Sequence, residues 1–583
     1  MFYPNLATPA ATRRTLSTFR GYNRNQKIGD GEFSDMQNLT SDHYPLLSPR
    51  GPRRAFRRSI APQGLISKES LCYADGENFY IGDKKVQGLK LCTACDGCQK
   101  KDACAQYAQG KTRCQKQMVS MGAYVLIFPD KKWVCVTSDA ATFGDMDAQV
   151  TVACVAVLCD AAGNEFEDVA FNKPATPAPD GTLWLDEGTA ALYRWSDSTQ
   201  SWIETETFLR LYATDIGENF SQYDGVTVSG LSEEADGNAI LLQANTDFVM
   251  IAGFMPALTQ ATTVTLARQI PMMDFVTVCA NRLWGCRYGK DLKGNFVNEI
   301  YCSKLGDFKN FSCFMGISTD SGALNLGSDG PFTGAVTHLD HPLFFKENML
   351  HKIYVSDTGA HSVTDTPCLG VQEGCGESLA TVSGVLYYMG RGAVCAYDGS
   401  LPTEISQDLA ALTCRSARGG AAKGKYYLCL KNGGESALFV YDTRKSMWHK
   451  EDNLPVDCFC AHKDTLYAMT ETEIWDLLGG GEEAVSWIAE TGDIGGFSPD
   501  RKFLSKLTVR LSLAAEAEIS FYVRYDFSEQ WELLYSLKAK PMGSYQVPLR
   551  PKRCDTLRLR MEGVGDMKLH AITALYEEGG ESL

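Results

Sequence analysis

The chain has 583 residues, 44% of them hydrophobic and 22% charged, an ordinary globular balance that excludes a disordered chain. No window approaches twenty uninterrupted apolar residues, which argues against a membrane-spanning helix, and the N-terminus MFYPNLATPAATRR lacks the basic-then-apolar order of a secretory signal. The formal charge of −15 is uneven: residues 1–60 hold ten Arg or Lys against four Asp or Glu, a local +6 that leaves −21 to the remainder. A protein used in solution, and made inside a cell, is the expectation.

Residues 1–60 show neither a 3.6-residue apolar stripe nor sustained alternation, and they contain the arginines Arg50, Arg53, Arg54, Arg57 and Arg58. With Pro4, Pro9, Pro45, Pro49 and Pro52, this segment reads as an extended basic arm without a core of its own. Arginines in such a Pro-rich setting are more often partners of carboxylates than readers of nucleic acid.

From residue 61 the chain repeats a strand, a tight turn, a second strand and a polar loop. The pattern appears in ENFYIGDKKVQGLKL (77–91), GAYVLIFPDKKWVCV (122–136), NRLWGCRYGKDLKGNFVNEIYCSK (281–304) and HPLFFKENMLHKIYVS (341–356). It returns in GVLYYMGRGAVCAYDG (384–399), GKYYLCLKNGGESALFVYDTRKSMW (424–448) and DTLYAMTETEIWDLL (464–478). Gly390-Arg391-Gly392 and Asn432-Gly433-Gly434 are hairpin turns. Copies spaced by about 40–60 residues predict an all-β fold, a divergent β-propeller of five to seven blades. A series of β-sandwiches or a β-helix is the alternative. First propeller strands are expected over 61–144 and the remaining blades over 269–485.

Residues 145–268 interrupt the repeat with the Pro-rich stretch KPATPAPDG and then alternating segments, such as Val226 and Val228, or Ile240 and Leu242. They predict a small inserted all-β domain, with two overgrown blades as the alternative. Residues 486–583 carry longer strands at 8–12-residue spacing, the pattern of a C-terminal β-sandwich of jelly-roll type.

Chemistry-bearing motifs are few. Cys92, Cys95, Cys98, Cys104 and Cys114 form a Cys-rich loop (92–114) whose C-x2-C steps suit a structural zinc site, although free thiols or disulfides fit the same spacing. A ferredoxin-type cluster fits less well, because the next gap is five residues and no Pro follows. The other cysteines sit in strand-like runs and read as small buried hydrophobes. His338 and His341 flank Asp340 in THLDHPLFF, a pattern commoner in loop hydrogen bonding than in metal binding. Nucleophile elbow, zinc-protease and phosphate-loop motifs are missing, and SDSTQSW, ending at Trp202, lacks the glycine of a sialidase Asp-box. The expectation is therefore no enzyme and no cofactor beyond a possible structural zinc.

The opening GEFSDMQNLTSDHYPLLSPRGPRR resembles the N-terminal arm of virion structural proteins of tailed bacteriophages and prophages. KQMVSMGAYVLIFPDKKW (116–133) is similar to prophage tail-region proteins. The order of arm, divergent propeller and terminal β-sandwich resembles propeller-type tail nozzle and tail-stabilisation proteins, whereas the Cys-rich loop departs from that pattern. The resemblance implies a ring-forming homo-oligomer, a hexamer, in a virion tail assembled in the bacterial host cytoplasm. It also implies contacts with other tail or connector proteins, and DNA passing through the channel without sequence-specific binding. In that setting the five arginines would dock adjacent subunits, and an acidic channel wall would let DNA slide. Two alternatives are a baseplate or receptor-recognition protein that stacks host-surface glycan on Trp184, Trp195 and Trp202, and, further off, a propeller glycoside hydrolase.

Overall fold

The computed structural model describes residues 11–59, 61–94, 115–137, 141–495, 501–526 and 528–578. The fold is all-β. Among the described residues the helical elements are the single 3-10 turns Gly376–Ser378 and Gln407–Leu409, and no helix is long and apolar enough to cross a membrane.

Seven four-stranded sheets carry the propeller repeat, at 62–85, 117–145, 275–325, 334–367, 380–404, 416–450 and 458–476. Six of the seven hairpins read from the sequence are their middle strands; the first, at 77–91, supplies the third and outer strands of its sheet. Val385–Met389 pairs with Val394–Tyr397 across Gly390-Arg391-Gly392, and Lys425–Asn432 pairs with Glu435–Asp442. Gly433 and Gly434 hold φ values of 59° and 97°, a left-handed turn that residues with a Cβ enter only at a cost. Runs such as KYYLCL at 425–430 are buried throughout, as expected where both faces of a blade are covered.

The chain forms two compact units. One comprises the described residues of Met1–Leu91, Phe344–Leu350 and Asp365–Leu583; the other comprises those of Cys92–Leu343 and His351–Thr364. Within the first, the inner strands Ser416–Ala422, Cys458–His462 and Pro62–Ser67 are successive neighbours. Within the second, the same holds for Gln117–Met121, Phe275–Cys279 and Gly334–His338.

Between the second and third blades, strands from Ala148–Cys159 to Thr259–Arg268 build a seven-stranded sheet, with a four-stranded sheet over 169–205. Leu185 and Leu192 of the smaller sheet join one core with Leu209, Val226, Val249 and Leu266 of the larger. Val226 and Val228 point inward as their alternation predicts, but at the next strand Leu241 is buried instead of Ile240 and Leu242.

The sandwich consists of a four-stranded and a five-stranded sheet built from Ser486–Thr491, Lys502–Leu513 and the strands that follow. The reading of residues 1–60 as an arm with no place in a core is corrected here. Ala11–Leu16 pairs with Met567–Glu578 in one sandwich sheet, and Phe33–Gln37 pairs with Ser486–Thr491 in the other. Arg54–Arg58 is the outer strand of the seventh blade, paired with Glu473–Asp476. Phe56 packs edge-on against Tyr467, 5.0 Å between ring centres. Strand formation there depends on a neighbour's edge and one aromatic, so it leaves no periodic mark in the segment itself.

Candidate functional site

The five predicted docking arginines all meet carboxylates of their own chain. Arg53 is the most embedded: its side chain is 7% exposed, and its guanidinium lies 2.6 Å from both Glu451 and Asp452. Burial opposes its charge, but the two carboxylates outweigh burial and raise its pKa. Arg50 reaches Asp452 at 3.3 Å and donates from Nε to Asn38. Arg54 pairs with Asp476, Arg58 with Glu473, and Arg57 with Asp83 while its guanidinium covers the Tyr80 ring at 4.7 Å. These contacts sew the N-terminal segment onto the sixth and seventh blades and the first.

Of the Cys-rich loop, Cys92 is described; Cys95, Cys98, Cys104 and Cys114 lie outside the described residues. Cys92 sits on a buried ion pair. Lys116 Nζ is 2.5 Å from Asp130 and donates to the Cys92 carbonyl, while the Cys92 amide donates to Asp130. His341 Nδ1 lies 3.1 Å from the Ile353 carbonyl, and His338 is buried. Among the described residues no group of three or more His, Cys, Asp or Glu gathers in metal-binding geometry.

Trp184, Trp195 and Trp202 are packed on one another. Trp202 meets Trp184 at 5.6 Å and Trp195 at 5.4 Å, both edge-on. Trp195 is 4% exposed, and its Nε1 donates to Asp197. They cluster on the face of the small sheet away from Leu185 and Leu192; Trp184 and Trp202 are half-buried, and Trp195 has no open face for sugar stacking.

The most elaborately built exposed feature is one that sequence reasoning passed over: the loop 303–321 of the third blade, between Phe296–Cys302 and Gly322–Asn325. Phe308 and Phe311 anchor it in the core shared with Leu126 and Leu283. The next apolar residues turn outward: Phe314 is 61% exposed, Met315 41% and Ile317 53%, with Leu305 at 44% beside them. This tip is held rigidly. Asp320 Oδ2 accepts the backbone N–H groups of Met315, Gly316 and Ile317 at 2.5, 2.7 and 3.2 Å. Buried Arg282 donates to the carbonyls of Ser303, Ser318 and Asp320 at 2.6–2.7 Å. Leu305 N donates to Thr319 O.

The inserted domain braces the same loop. Asn310, fully buried, donates to Tyr223 O at 2.7 Å and accepts from Gly225 N, and a Cβ on Gly225 would fall 2.2 Å from Ser312 O. Asp224 forms a buried ion pair with Arg268 at the foot of the insertion. From the fourth blade, Gly359 (φ +81°) passes so close that a Cβ there would lie 2.7 Å from Ser318 Cα. The signal in the sequence was NFSCFMGIS (310–318), an apolar run with glycine inside a loop, which periodicity templates do not score.

A second feature is a polar cleft of about 290 Å³ lined by Arg20, Glu32, Tyr44, Asp408 and Lys445. Asn23 Nδ2 bridges Glu32 Oε2 at 2.9 Å and Asp408 Oδ1 at 3.5 Å. Burial and then the Glu32 charge raise the Asp408 pKa, so this carboxyl is biased toward holding a proton.

No protein-family model matches the chain, and no curated protein matches it. Solved structures similar to it include an exo-β-1,3-galactanase from Phanerochaete chrysosporium, with 8% identity, 51% of this chain and 94% of that chain covered, and a TM-score of 0.22. A putative exported protein from Bacteroides fragilis shows 9% identity over 46% of this chain and 94% of its own, with a TM-score of 0.22. A glycoside hydrolase family 43 arabinoxylan arabinofuranohydrolase from Bacillus subtilis shows 10% identity over 51% and 94%, with a TM-score of 0.18. The expectation that the chain is not an enzyme is corrected on this finding: carbohydrate-cleaving enzymes stand among its structural neighbours, and the exclusion is withdrawn. Likeness at this level gives no residue a role and names no substrate.

Proposed function

We propose that this chain is a structural subunit of a tailed-phage-type particle, a component of a tail ring around the DNA channel, whose copies meet through the loop 303–321. One observation carries the reading: the chain invests a buried arginine, a buried asparagine and a caging aspartate in holding Phe314, Met315 and Ile317 out in water. Exposed apolar groups cost solubility and mark contact surfaces, and a preorganised one loses little entropy on docking. Phe314, Met315 and Ile317 would serve as an apolar knob for a neighbour's surface. The resemblance of residues 31–54 to phage arm segments supports the setting, and the net charge of −15 suits a wall past which DNA slides. Light scattering and negative-stain microscopy test the reading. Wild type is expected to form rings that the double change F314S/I317S disperses without loss of thermal stability. A wild-type chain that stays monomeric at high concentration overturns it.

Hydrolysis of a glycosidic bond is a second reading, resting on the carboxyl pair Glu32 and Asp408 in its cleft. Turnover of an arylglycoside panel, abolished by either E32Q or D408N in folded protein, would support it. No turnover on any member of the panel removes it.

A further inference from the structure

Seventeen cysteines fall among the described residues, and most are small hydrophobes in strands. Cys375 and Cys414 differ. Their sulfurs lie 3.8 Å apart, with the residues 0% and 8% exposed. Neither belongs to a strand. Cys375 precedes the turn Gly376–Ser378 that leads into the fifth blade, and Cys414 lies in the linker just before the sixth-blade strand Ser416–Ala422.

The surrounding backbone fixes the two linkers face to face. Gln372 donates from Nε2 to the Cys414 carbonyl at 2.8 Å, and its own amide donates to Met389 O. Cys375 N donates to Gln372 O, and Ser378 Oγ donates to Cys375 O at 2.6 Å. Gly374 (φ +79°) approaches so closely that a Cβ would lie 2.5 Å from Arg415 O. Two thiols are therefore held in register by contacts that do not involve sulfur.

We propose that Cys375 and Cys414 are a disulfide-forming pair, a latch that joins the fifth- and sixth-blade linkers when the protein leaves a reducing compartment and meets a peroxide. The hydrogen bond with Cys375 lowers the Cys414 pKa against the effect of burial, so Cys414 is assigned as the nucleophile. Cys414 Sγ attacks one peroxide oxygen, the O–O bond breaks, and the sulfenic acid forms with release of one water. Cys375 Sγ then attacks the Cys414 sulfur, the S–O bond breaks, and the hydroxyl leaves as a second water with the Cys375 proton. Overall, two thiols and one hydrogen peroxide give one disulfide and two waters; the sulfurs lose two electrons and the peroxide gains them. The bridge spans 39 residues of sequence, and closing such a loop restricts the unfolded chain.

The test uses the full chain, purified reduced, treated with hydrogen peroxide, blocked with an alkylating agent and mapped without reduction by mass spectrometry. The expected result is a linked peptide pair joining Cys375 to Cys414, two hydrogens lighter than the separate peptides, and an apparent Tm higher by about 2–4 °C that dithiothreitol reverses. C375S and C414A should each abolish both the linked peptide and the Tm gain. The map of wild type decides the matter even if a variant folds poorly. Alkylated Cys375 and Cys414 after peroxide treatment, or pairing of either with a different cysteine, overturns the proposal.

Discussion

At Arg53 two carboxylates converge on one guanidinium in a nearly dry setting, so the residue is worth more by its absence than by its presence. Arg53→Ala leaves Glu451, 9% exposed, and Asp452 beside a cavity with Arg50 as their remaining counter-charge, and is expected to lower stability by about 3 kcal/mol in urea unfolding. Arg58→Ala, whose side chain is 91% exposed, should change it by less than about 1 kcal/mol. His449 gives a pH signature. Burial, and then the Lys425 charge, push its pKa from 6.5 down to about 3. Below pH 6.5 the unfolded chain takes a proton that the folded chain refuses. Stability is thus complete above that pH and falls as the pH drops toward 3, with a slope approaching about 1.4 kcal/mol per pH unit. The half-buried His361 and His462, also lowered by desolvation, add to the same trend. Urea titrations at pH 7 and pH 5 should show His449→Gln losing about 2 kcal/mol less than wild type over that interval. An identical pH slope in the variant would remove His449 as the cause.

For single elements, the caging of the tip by Asp320 has a local readout. Asp320→Ala removes one acceptor from three N–H groups, and the amides of Met315, Gly316 and Ile317 are expected to exchange at least about tenfold faster while distant strands keep their rates. Unchanged exchange would mean that Arg282 and Asn310 suffice to hold the loop. The N-terminal strand makes a different kind of prediction. Deleting residues 1–60 strips Arg54–Arg58 from the seventh blade and Ala11–Leu16 and Phe33–Gln37 from the sandwich, so the truncated chain should aggregate on expression. A folded truncation with the wild-type Tm would contradict the sheet pairing.

How legible these elements were follows from what carries them. Hairpins such as Val385–Met389 with Val394–Tyr397 announce themselves, because alternation, aromatics and a glycine turn coincide within sixteen residues. Arg54–Arg58 did not, since its pairing is supplied by Glu473–Asp476, more than 400 residues away, and its arginines mimic a solvated tail. The tryptophans of the insertion were visible as a group, but stacking on a ligand and packing on one another have the same composition. The tip at Phe314–Ile317 was missed because its meaning lies in exposure, which depends on Asp320, Arg282 and Asn310 acting from three directions.

For the whole molecule, the proposed ring subunit would combine an all-β propeller-type fold, a net charge of −15 and the apolar tip of loop 303–321. The predicted interface is heterologous, one surface of a copy meeting a different surface of the next, which closes into a ring when the rotation allows. The most direct measurement is particle mass by light scattering across a concentration series, for wild type and for F314S/I317S, with negative-stain images of each. The account predicts closed rings for wild type and monomers of unchanged Tm for the double variant. Rings that persist in the variant would contradict the role of the knob, and a monomer for both would contradict assembly through copies of this chain.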